Sequence, residues 1–502
     1  MRATRTAAAQ SAPETGEELL ARILTERRNN WHGRGRYEEP GPPEDASLPS
    51  LPNGWIWTRL EQLGFMFGGL TKNPKRAKLP KQLPYLRVAN VYANELRLRE
   101  IEHIGVEDSE LPKLLVRAGD LLIVEGNGSK DQIGRLAIWD GSIAPCVHQN
   151  HLIKVRPVHS GMPKWILHWL QSPSGRHFVE LVASSTSGLY TLSVNKVGDL
   201  PIPLAPPPDQ QRIVAEIEKQ FTRLEAGVAA LRRAQANLKR YRAAVLKAAC
   251  EGHLVPTEAE LAKTGKRKST FETGEALLAR ILTDRRKNWK GRGTYREPAA
   301  PDIKSLPTVP PGWTWATIEQ VSEVVRGASP RPAGDPRYFG GDVPWITVGP
   351  LTADNSPYLQ SVPTSLNSLG REHSRYVQPQ TLLLTNSGAT LGVPKITLIG
   401  GCINDGVAAL LDVPYPLKLY LLYFLRTQTE RLRGVNQGAA QPNLNTTIIK
   451  SIDVSIPPVS EQTRIVAEVE RRLSVVEELE AVVKPTTARP SKNLASGPEC
   501  WG

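Results

Sequence analysis

Cysteine is scarce in this chain, with four in 502 residues. Cys146, Cys250, Cys402 and Cys500 stand too far apart to form a C-x-x-C zinc or redox motif, and such sparse use fits a reducing compartment. Long apolar runs are missing too, since nothing approaches the roughly 20 residues needed to span a bilayer. The first ten residues carry Arg2 and Arg5 but run into Glu14, Glu17 and Glu18 without an apolar core, so they do not read as a signal peptide. The expectation is a cytoplasmic protein with no membrane partner. A composition of 40% hydrophobic and 23% charged residues excludes a mainly disordered chain. The length suits about three domains.

Acidic residues are outnumbered, 50 against 63 lysines and arginines, for a net charge of +13. The excess sits mid-chain: +5 over residues 51–206, +5 over 207–250 and +4 over 251–300. Such a stretch attracts a polyanion, although a merely solvated face would carry the same charge.

Internal repetition sets the organisation. Thr15 to Pro40, TGEELLARILTERRNNWHGRGRYEEP, returns as Thr273 to Pro298, TGEALLARILTDRRKNWKGRGTYREP, with six differences at an offset of 258. LPSLPNGWIWTRLEQLG from Leu48 matches LPTVPPGWTWATIEQVS from Leu306 at the same offset, and PDQQRIVAE from Pro208 is echoed by SEQTRIVAE from Ser460 at 252. The stretches between are much less alike. The chain is two copies of one plan, with similar frames around dissimilar inserts of about 150 residues.

After Pro206-Pro207-Pro208, Asp209 can cap a helix whose apolar residues fall at Ile213, Ile217, Phe221, Leu224, Val228, Leu231, Leu238 and Val245. These steps of three and four make a heptad seam, with polar Gln235 at one seam position. The helix should end near Cys250, where Gly252 and Pro256 stop it, giving a length of about 60 Å. The second copy places Ile465, Val469, Leu473 and Val476 alike, so the two helices could pair as a coiled coil. It should break off at Lys484-Pro485, before a polar tail, leaving the first helix an overhang that a partner covers unless the protein is a truncated form.

The inserts read as mixed α and β structure. Residues 120–124 and 135–139 look like strands either side of a Gly-rich loop, and 165–170 look helical. The second insert repeats the order, with strands at 381–385 and 394–399 around Asn386 to Thr390. The expected fold class is α+β: two mixed α/β domains in tandem, joined by long helices forming an antiparallel coiled coil with the second helix shortened. The segments are 1–50, a frame segment with a docking helix; 51–206, the first mixed domain; 207–252, the central helix; 253–305, a linker with the repeated frame; 306–459, the second mixed domain; 460–484, the short helix; and 485–502, the tail.

Catalytic motifs are missing. There is no N-P-P-[FY] or D-P-P-Y run, no G-x-x-x-x-G-K-[ST] phosphate loop, and no paired carboxylates with a nearby lysine for metal-dependent phosphodiester hydrolysis. Pro301-Asp302-Ile303-Lys304 superficially looks like nuclease residues but lies in a proline-rich linker without a second acid. Gly126-Asn127-Gly128 lacks the third glycine of a dinucleotide loop, because Asp131 occupies that place. No catalytic and no metal-ligating residue is expected.

The two-copy frame, with W-x-W at Trp55/Trp57 and Trp313/Trp315, PLAPPPDQQRIVAEIE from Pro203 and IPPVSEQTRIVAEVE from Ile456, resembles the specificity subunit of Type I restriction-modification systems. EGNGSKDQIGRLAIW from Glu125, CVHQNHLIKVRP from Cys146, GASPRPAGDPRYFGGDVPWITVGPL from Gly327 and QGAAQPNLNTTIIKSI from Gln437 look like pieces of that family's target recognition domains. The resemblance runs to about Val483. It implies that each insert reads one half of an interrupted, asymmetric site in double-stranded DNA while the helices set the spacing. It also implies a non-catalytic subunit that docks two methyltransferase subunits, with translocase-nuclease subunits joining for cleavage. S-adenosylmethionine, ATP and Mg would then sit on the partners and no cofactor on this chain. The alternatives are a coiled-coil interaction scaffold that does not bind DNA and a truncated, inactive specificity subunit.

Asn, Gln, Arg and Lys pair with base edges, whereas Ser, Thr and backbone N–H groups mostly meet phosphates. In the first insert the candidates are Asn127, Ser129, Lys130 and Gln132 in the Gly-rich loop, then Gln149 and Asn150, and Tyr190 beside Ser184 to Ser187, with Asn195 and Lys196 near phosphate. In the second they are Ser329, Arg331, Asn386, Ser387, Thr390, Gln437, Gln441 and Asn443. Plainer readings stand beside these. His148 to His151 would brace the domain by hydrogen bonds, or bind zinc, although only Cys146 accompanies them at ligand spacing. The four tryptophans read as core packing and strand starts rather than base stacking. Cys146 and Cys402 read as small buried hydrophobes. The LLARIL helices read as partner-docking or frame elements.

Overall fold

Thr15 and Glu18 close a reciprocal cap: Thr15 Oγ1 accepts from the Glu18 N–H at 3.3 Å, and Glu18 Oε2 accepts from the Thr15 N–H at 2.8 Å. That cap starts α1 (Gly16–Asn29). In the computed structural model, residues 14–32, 35–44, 48–186, 189–265, 271–290, 293–434 and 443–488 are described, without the side chains of residues 185, 186 and 484–488. They fall into two compact units, one up to Ala229 and one over Ala230–Ala488. Among the described residues no helix is long and apolar enough to cross a membrane.

In the first unit Leu19 and Ile23 of α1 are fully buried in the core, and Arg27 donates to the Gly64 carbonyl at 3.0 Å while lying over the Phe65 ring. The LLARIL segment is therefore a frame helix. Its main strands are β1 (Ile56–Arg59), β2 (Gly64–Phe67), β3 (Gln82–Leu86), β4 (Leu121–Val124), β5 (Leu136–Ile138), β6 (Val147–His148), β7 (Leu152–Pro157) and β8 (Pro201–Leu204). The central sheet runs β2-β7-β4-β5, all antiparallel. Every residue of β4, Leu-Leu-Ile-Val, is buried, which an apolar run covered on both faces requires. β3 and β6 pair in parallel beside it. β1 and β8 pair antiparallel, Ile56 opposite Leu204, and so join the two ends of the insert.

The long helix α2 (Pro207–Cys250) has 44 residues, about 66 Å at the usual rise. It begins at Pro207, so Asp209 lies inside the first turn rather than capping it; proline suits a first turn because its missing N–H would be unpaired there anyway. The expected seam is only partly realised. No residue between Gln210 and Val245 is buried, and Phe221 and Leu224 are 38% and 46% exposed. A heptad period decides which face is apolar, not whether another element lies against it.

The second unit repeats the plan with α3 (Gly274–Lys287), β9 (Thr314–Thr317), β10 (Glu323–Arg326), β11 (Phe339–Ile346), β12 (Thr381–Thr385), β13 (Pro394–Thr397), β14 (Gly401–Ile403), β15 (Val407–Leu411) and β16 (Asp453–Ile456). Its main sheet is β10-β15-β12-β13 with Tyr358–Leu359 at the edge; β11 and β14 pair in parallel, and β9 pairs antiparallel with β16. Two helices complete it, α4 (Leu417–Gly434) and α5 (Val459–Ala488). The α5 residues Ile465, Val469, Leu473 and Val476 are buried, and α4 is the main neighbour of α5. The last turns of α2 add Val245, Leu246 and Ala249 to the same core. They run antiparallel to α5: the Cys250 carbonyl accepts from Ser455 Oγ at 3.1 Å just before α5 begins, while Arg242 reaches Glu480 far along it at 3.2 Å.

The second long helix is shorter than the first, 30 residues against 44, but continues through Pro485 to Ala488, past the expected stop at residue 484. Near a helix end a proline forfeits one hydrogen bond without forcing the chain out of helical backbone.

Candidate nucleic-acid interface

In the second unit three segments meet at one end of the central sheet. β12 leaves the sheet at Asn386, whose N–H donates to the Gly406 carbonyl at 2.9 Å and whose carbonyl accepts from the Leu444 N–H at 2.7 Å. Ser387 bridges Asn443 antiparallel. The result is a polar cleft of about 200 Å³ lined by Arg326, Ser387, Gly388, Asn404, Asp405 and Asn443. Asp405 organises its rim: Oδ1 accepts from Ser329 Oγ at 2.6 Å, Oδ2 from Arg331 at 3.0 Å, and its carbonyl from Arg326 Nε at 2.8 Å. Gly327 makes this crossing possible, since a Cβ there would lie 2.1 Å from the Asn404 carbonyl oxygen.

Of the candidates in the second insert, Ser329, Arg331, Ser387 and Asn443 gather at this cleft. Asn386 sits behind it, fully buried, with neither amide atom hydrogen-bonded. Thr390 is exposed on the adjoining loop. Gln437 and Gln441 lie outside the described residues.

The first unit builds the same junction. The Glu125 N–H donates to the His151 carbonyl at 2.9 Å, and the Leu192 N–H donates to the Glu125 carbonyl at 2.7 Å. Tyr190, half-buried, pairs antiparallel with Asn127. The loop after Asn127 is bonded to itself: Asn127 Oδ1 accepts from the Ser129 N–H at 3.0 Å, Ser129 Oγ and Gln132 Nε2 both donate to Asp131, and Lys130 lies 3.8 Å from Glu180. Gln149 Oε1 accepts from the Val88 N–H at 3.4 Å, while the Asn150 N–H donates to the Leu70 carbonyl at 3.0 Å. Lys196 Nζ donates to the Val182 carbonyl at 2.8 Å and to Ser184 Oγ.

His148 serves as a brace. It is fully buried, its ring nitrogens lie 3.2 Å and 3.4 Å from the Leu114 and Phe67 carbonyls, and burial, helped by the Lys154 cation, pushes its pKa down to about 4. Lys154 is buried as well and donates to the Lys113 and Leu115 carbonyls at 2.5 and 2.9 Å; burial, then Arg156, push it down to about 7. Both His148 nitrogens face carbonyls, and among the described residues no cluster of three metal-ligating side chains occurs. Asp302 accepts from the Lys304 N–H at 3.2 Å, so the Pro-Asp-Ile-Lys stretch closes a local turn. Trp57 and Trp315 donate to the Pro49 and Pro307 carbonyls at 2.8 and 2.9 Å, in keeping with the frame reading of the tryptophans. Cys146 and Cys402 are fully buried.

Strand register relates the two sites residue by residue. Leu152 faces Val124, and Val407 faces Thr385, in the central pairs β7-β4 and β15-β12. Gln149 and Asn150 thus correspond to Asn404 and Asp405, a pair missed in the sequence reading. A signal existed: Cys146-Val-His-Gln-Asn-His and Cys402-Ile-Asn-Asp-Gly both run from a buried cysteine through a polar pair into a strand.

The family described as Type I restriction modification DNA specificity domain matches residues 310–480, the second copy with most of α5. The Type I restriction enzyme MjaIX specificity subunit of Methanocaldococcus jannaschii is 26% identical over 160 residues, covering 31% of this chain and 37% of that protein. The Type I restriction enzyme EcoKI specificity subunit of Escherichia coli is 26% identical over 222 residues, covering 43% of this chain and 46% of that protein. The matches span less than half the length of either relative. The solved HsdS subunit from Thermoanaerobacter tengcongensis shares the fold with a TM-score of 0.51 at 18% identity, over 89% of this chain and 95% of that one. Residues 310–480 thus match the Type I restriction modification DNA specificity domain, and the chain is similar to specificity subunits of Type I restriction-modification systems.

Proposed function

We propose that each copy reads one half of a bipartite, asymmetric sequence in double-stranded DNA, that the long helices set the spacing between the halves, and that the chain docks two methyltransferase subunits, with translocase-nuclease subunits joining for cleavage. One observation carries this reading: the same junction is built twice, in the same strand register, with different polar side chains. Glu125, Gln149 and Asn150 in one copy stand where Asn386, Asn404 and Asp405 stand in the other. A constant scaffold with different donors and acceptors suits two different base sequences.

The complementary pattern lies on α1 and α3. Their exposed residues Glu17, Arg22, Thr25 and Arg28 recur as Glu275, Arg280, Thr283 and Arg286. A set of exposed residues repeated on both helices suits one kind of partner met twice. The surplus of +5 on residues 207–250 favours a polyanion nearby. Chemistry in this reading belongs to the partners, which would carry S-adenosylmethionine, ATP and Mg.

The test is a genome-wide map of adenine methylation in cells holding the chain with its methyltransferase subunit, against cells lacking the chain. A bipartite, asymmetric motif that appears only with the chain is the expected result. A folded protein that yields no new motif would sink the proposal and favour the scaffold without DNA binding.

A further inference from the structure

Each Gly-rich loop closes on a glycine that a helix covers. The Val124 N–H donates to the Arg135 carbonyl at 2.9 Å, and the Gly134 N–H donates to the Val124 carbonyl at 3.1 Å. Thr385, Val393 and Gly392 repeat the pattern at 3.0 and 2.7 Å. Gly134 and Gly392 have φ of +66° and +80°, which lets the chain turn back into the next strand. The helix Pro173–Val182 covers the first glycine and α4 the second: a Cβ would lie 2.4 Å from Val179 and 3.4 Å from Leu432.

An arginine of the covering helix then takes the carbonyl just before the glycine. Arg176 Nη1 donates to the Ile133 carbonyl at 2.6 Å, and Arg433 Nε donates to the Leu391 carbonyl at 3.2 Å. This equivalence survives large differences between the inserts. The helices have 10 and 18 residues, and the loops nine (125–133) and six (386–391). The tip of the loop varies while its base is gripped alike. Resting on the reading of these loops as facing DNA, we infer that Arg176 and Arg433 are positioning residues: through the loop base they place Gln132 and Thr390, the exposed residues next in the chain, against the duplex. A reading side chain must be held to within about 0.5 Å, which a loop achieves when a rigid element supports it.

Neighbouring groups set how much rests on each arginine. Arg176 also donates to the Asp131 carbonyl at 3.4 Å, and Glu180 lies 3.6 Å from Arg176 and 3.8 Å from Lys130, so one helix grips the first loop at several points. In the second copy Thr429 Oγ1 donates to the Gly392 carbonyl at 2.7 Å and Thr385 Oγ1 to the Thr390 carbonyl at 2.8 Å, so hydroxyls share the load with Arg433.

Methylation maps of wild-type chain, Arg176→Met and Arg433→Met, each expressed with the methyltransferase subunit, test the inference. Methionine keeps an unbranched apolar stem and removes the N–H donors. Arg176→Met is expected to lower base discrimination in one half-site by about tenfold, and Arg433→Met to lower it by about threefold in the other. Each variant should leave the opposite half-site and the spacer intact, which reports a folded, assembled chain. A purely structural role would instead lower methylation at all sites with the motif unchanged. That result, an unchanged map in either variant, or both half-sites relaxing together overturns the inference, while the wild-type motif keeps the DNA-reading proposal standing. If wild type itself yields no motif, both are overturned.

Discussion

The indole N–H of Trp313 donates to Glu461 Oε1 at 2.9 Å, and that carboxylate is fully buried in the first turn of α5. Its other oxygen accepts from the Glu258 N–H at 3.0 Å. Burial pushes its pKa up, and the two N–H donors oppose that shift, as does the positive end of the helix. The first copy uses the same device more loosely, Trp55 donating to Asp209 at 3.2 Å with the carboxylate 34% exposed. The first tryptophan of each W-x-W thus ties the frame strand to the long helix.

Trp313→Phe keeps the ring but strands part of a buried carboxylate. The second unit should lose about 1–3 kcal/mol. Trp55→Phe should cost less, about 1 kcal/mol at most, because water can replace the indole there. Urea unfolding of the full chain measures both, and equal losses would contradict the difference in burial.

His148 makes the first unit acid-sensitive. Its folded pKa of about 4 lies below the ordinary 6.5, so the unfolded chain takes up the proton first. The stability it contributes is complete above pH 6.5 and falls as the pH drops towards 4, by about 3 kcal/mol over the window. His148→Gln should flatten that slope, as read from unfolding midpoints between pH 4 and 7.

Two glycines let the frame helices abut the frame strands. A Cβ on Gly16 would lie 2.4 Å from the Leu204 carbonyl oxygen, and one on Gly274 2.1 Å from that of Ile456. Gly16→Ala and Gly274→Ala should each destabilise their own unit by about 1–3 kcal/mol and speed proteolysis at α1 or α3. Unchanged proteolysis of both would show that the helices dock elsewhere.

If the chain binds DNA through its basic residues, affinity should fall steeply with salt, since each neutralised phosphate releases counterions. A protein with several phosphate contacts loses about 10³-fold or more between 50 and 200 mM salt. Fluorescence anisotropy on a duplex carrying the methylated motif measures this. A flat salt profile would favour the scaffold without DNA binding.

Much of this was legible locally. The duplication of Thr15 to Pro40, the 44-residue helix and the strands around each Gly-rich loop are written in spacing that the backbone must obey. The helical repeat of Leu19 and Ile23 announced a buried face, and burial made α1 a frame element. Harder to see was the pairing of Asn404 and Asp405 with Gln149 and Asn150. The inserts differ too much in sequence for an offset to persist, and only strand register restores it.

The sequence by itself determined the two-copy plan, the long helices and their apolar faces, because repeats and periodicity are properties of neighbours along the chain. Tertiary structure alone decided which of those faces is covered. It buried the α5 seam against α4 and left Phe221 and Leu224 of α2 partly exposed, although both helices carry the same spacing. It also decided which polar side chains meet, bringing Asn404 beside Asn443 and tying Arg331 to Asp405. Contacts of that kind depend on how strands far apart in sequence align, and no local pattern encodes that alignment.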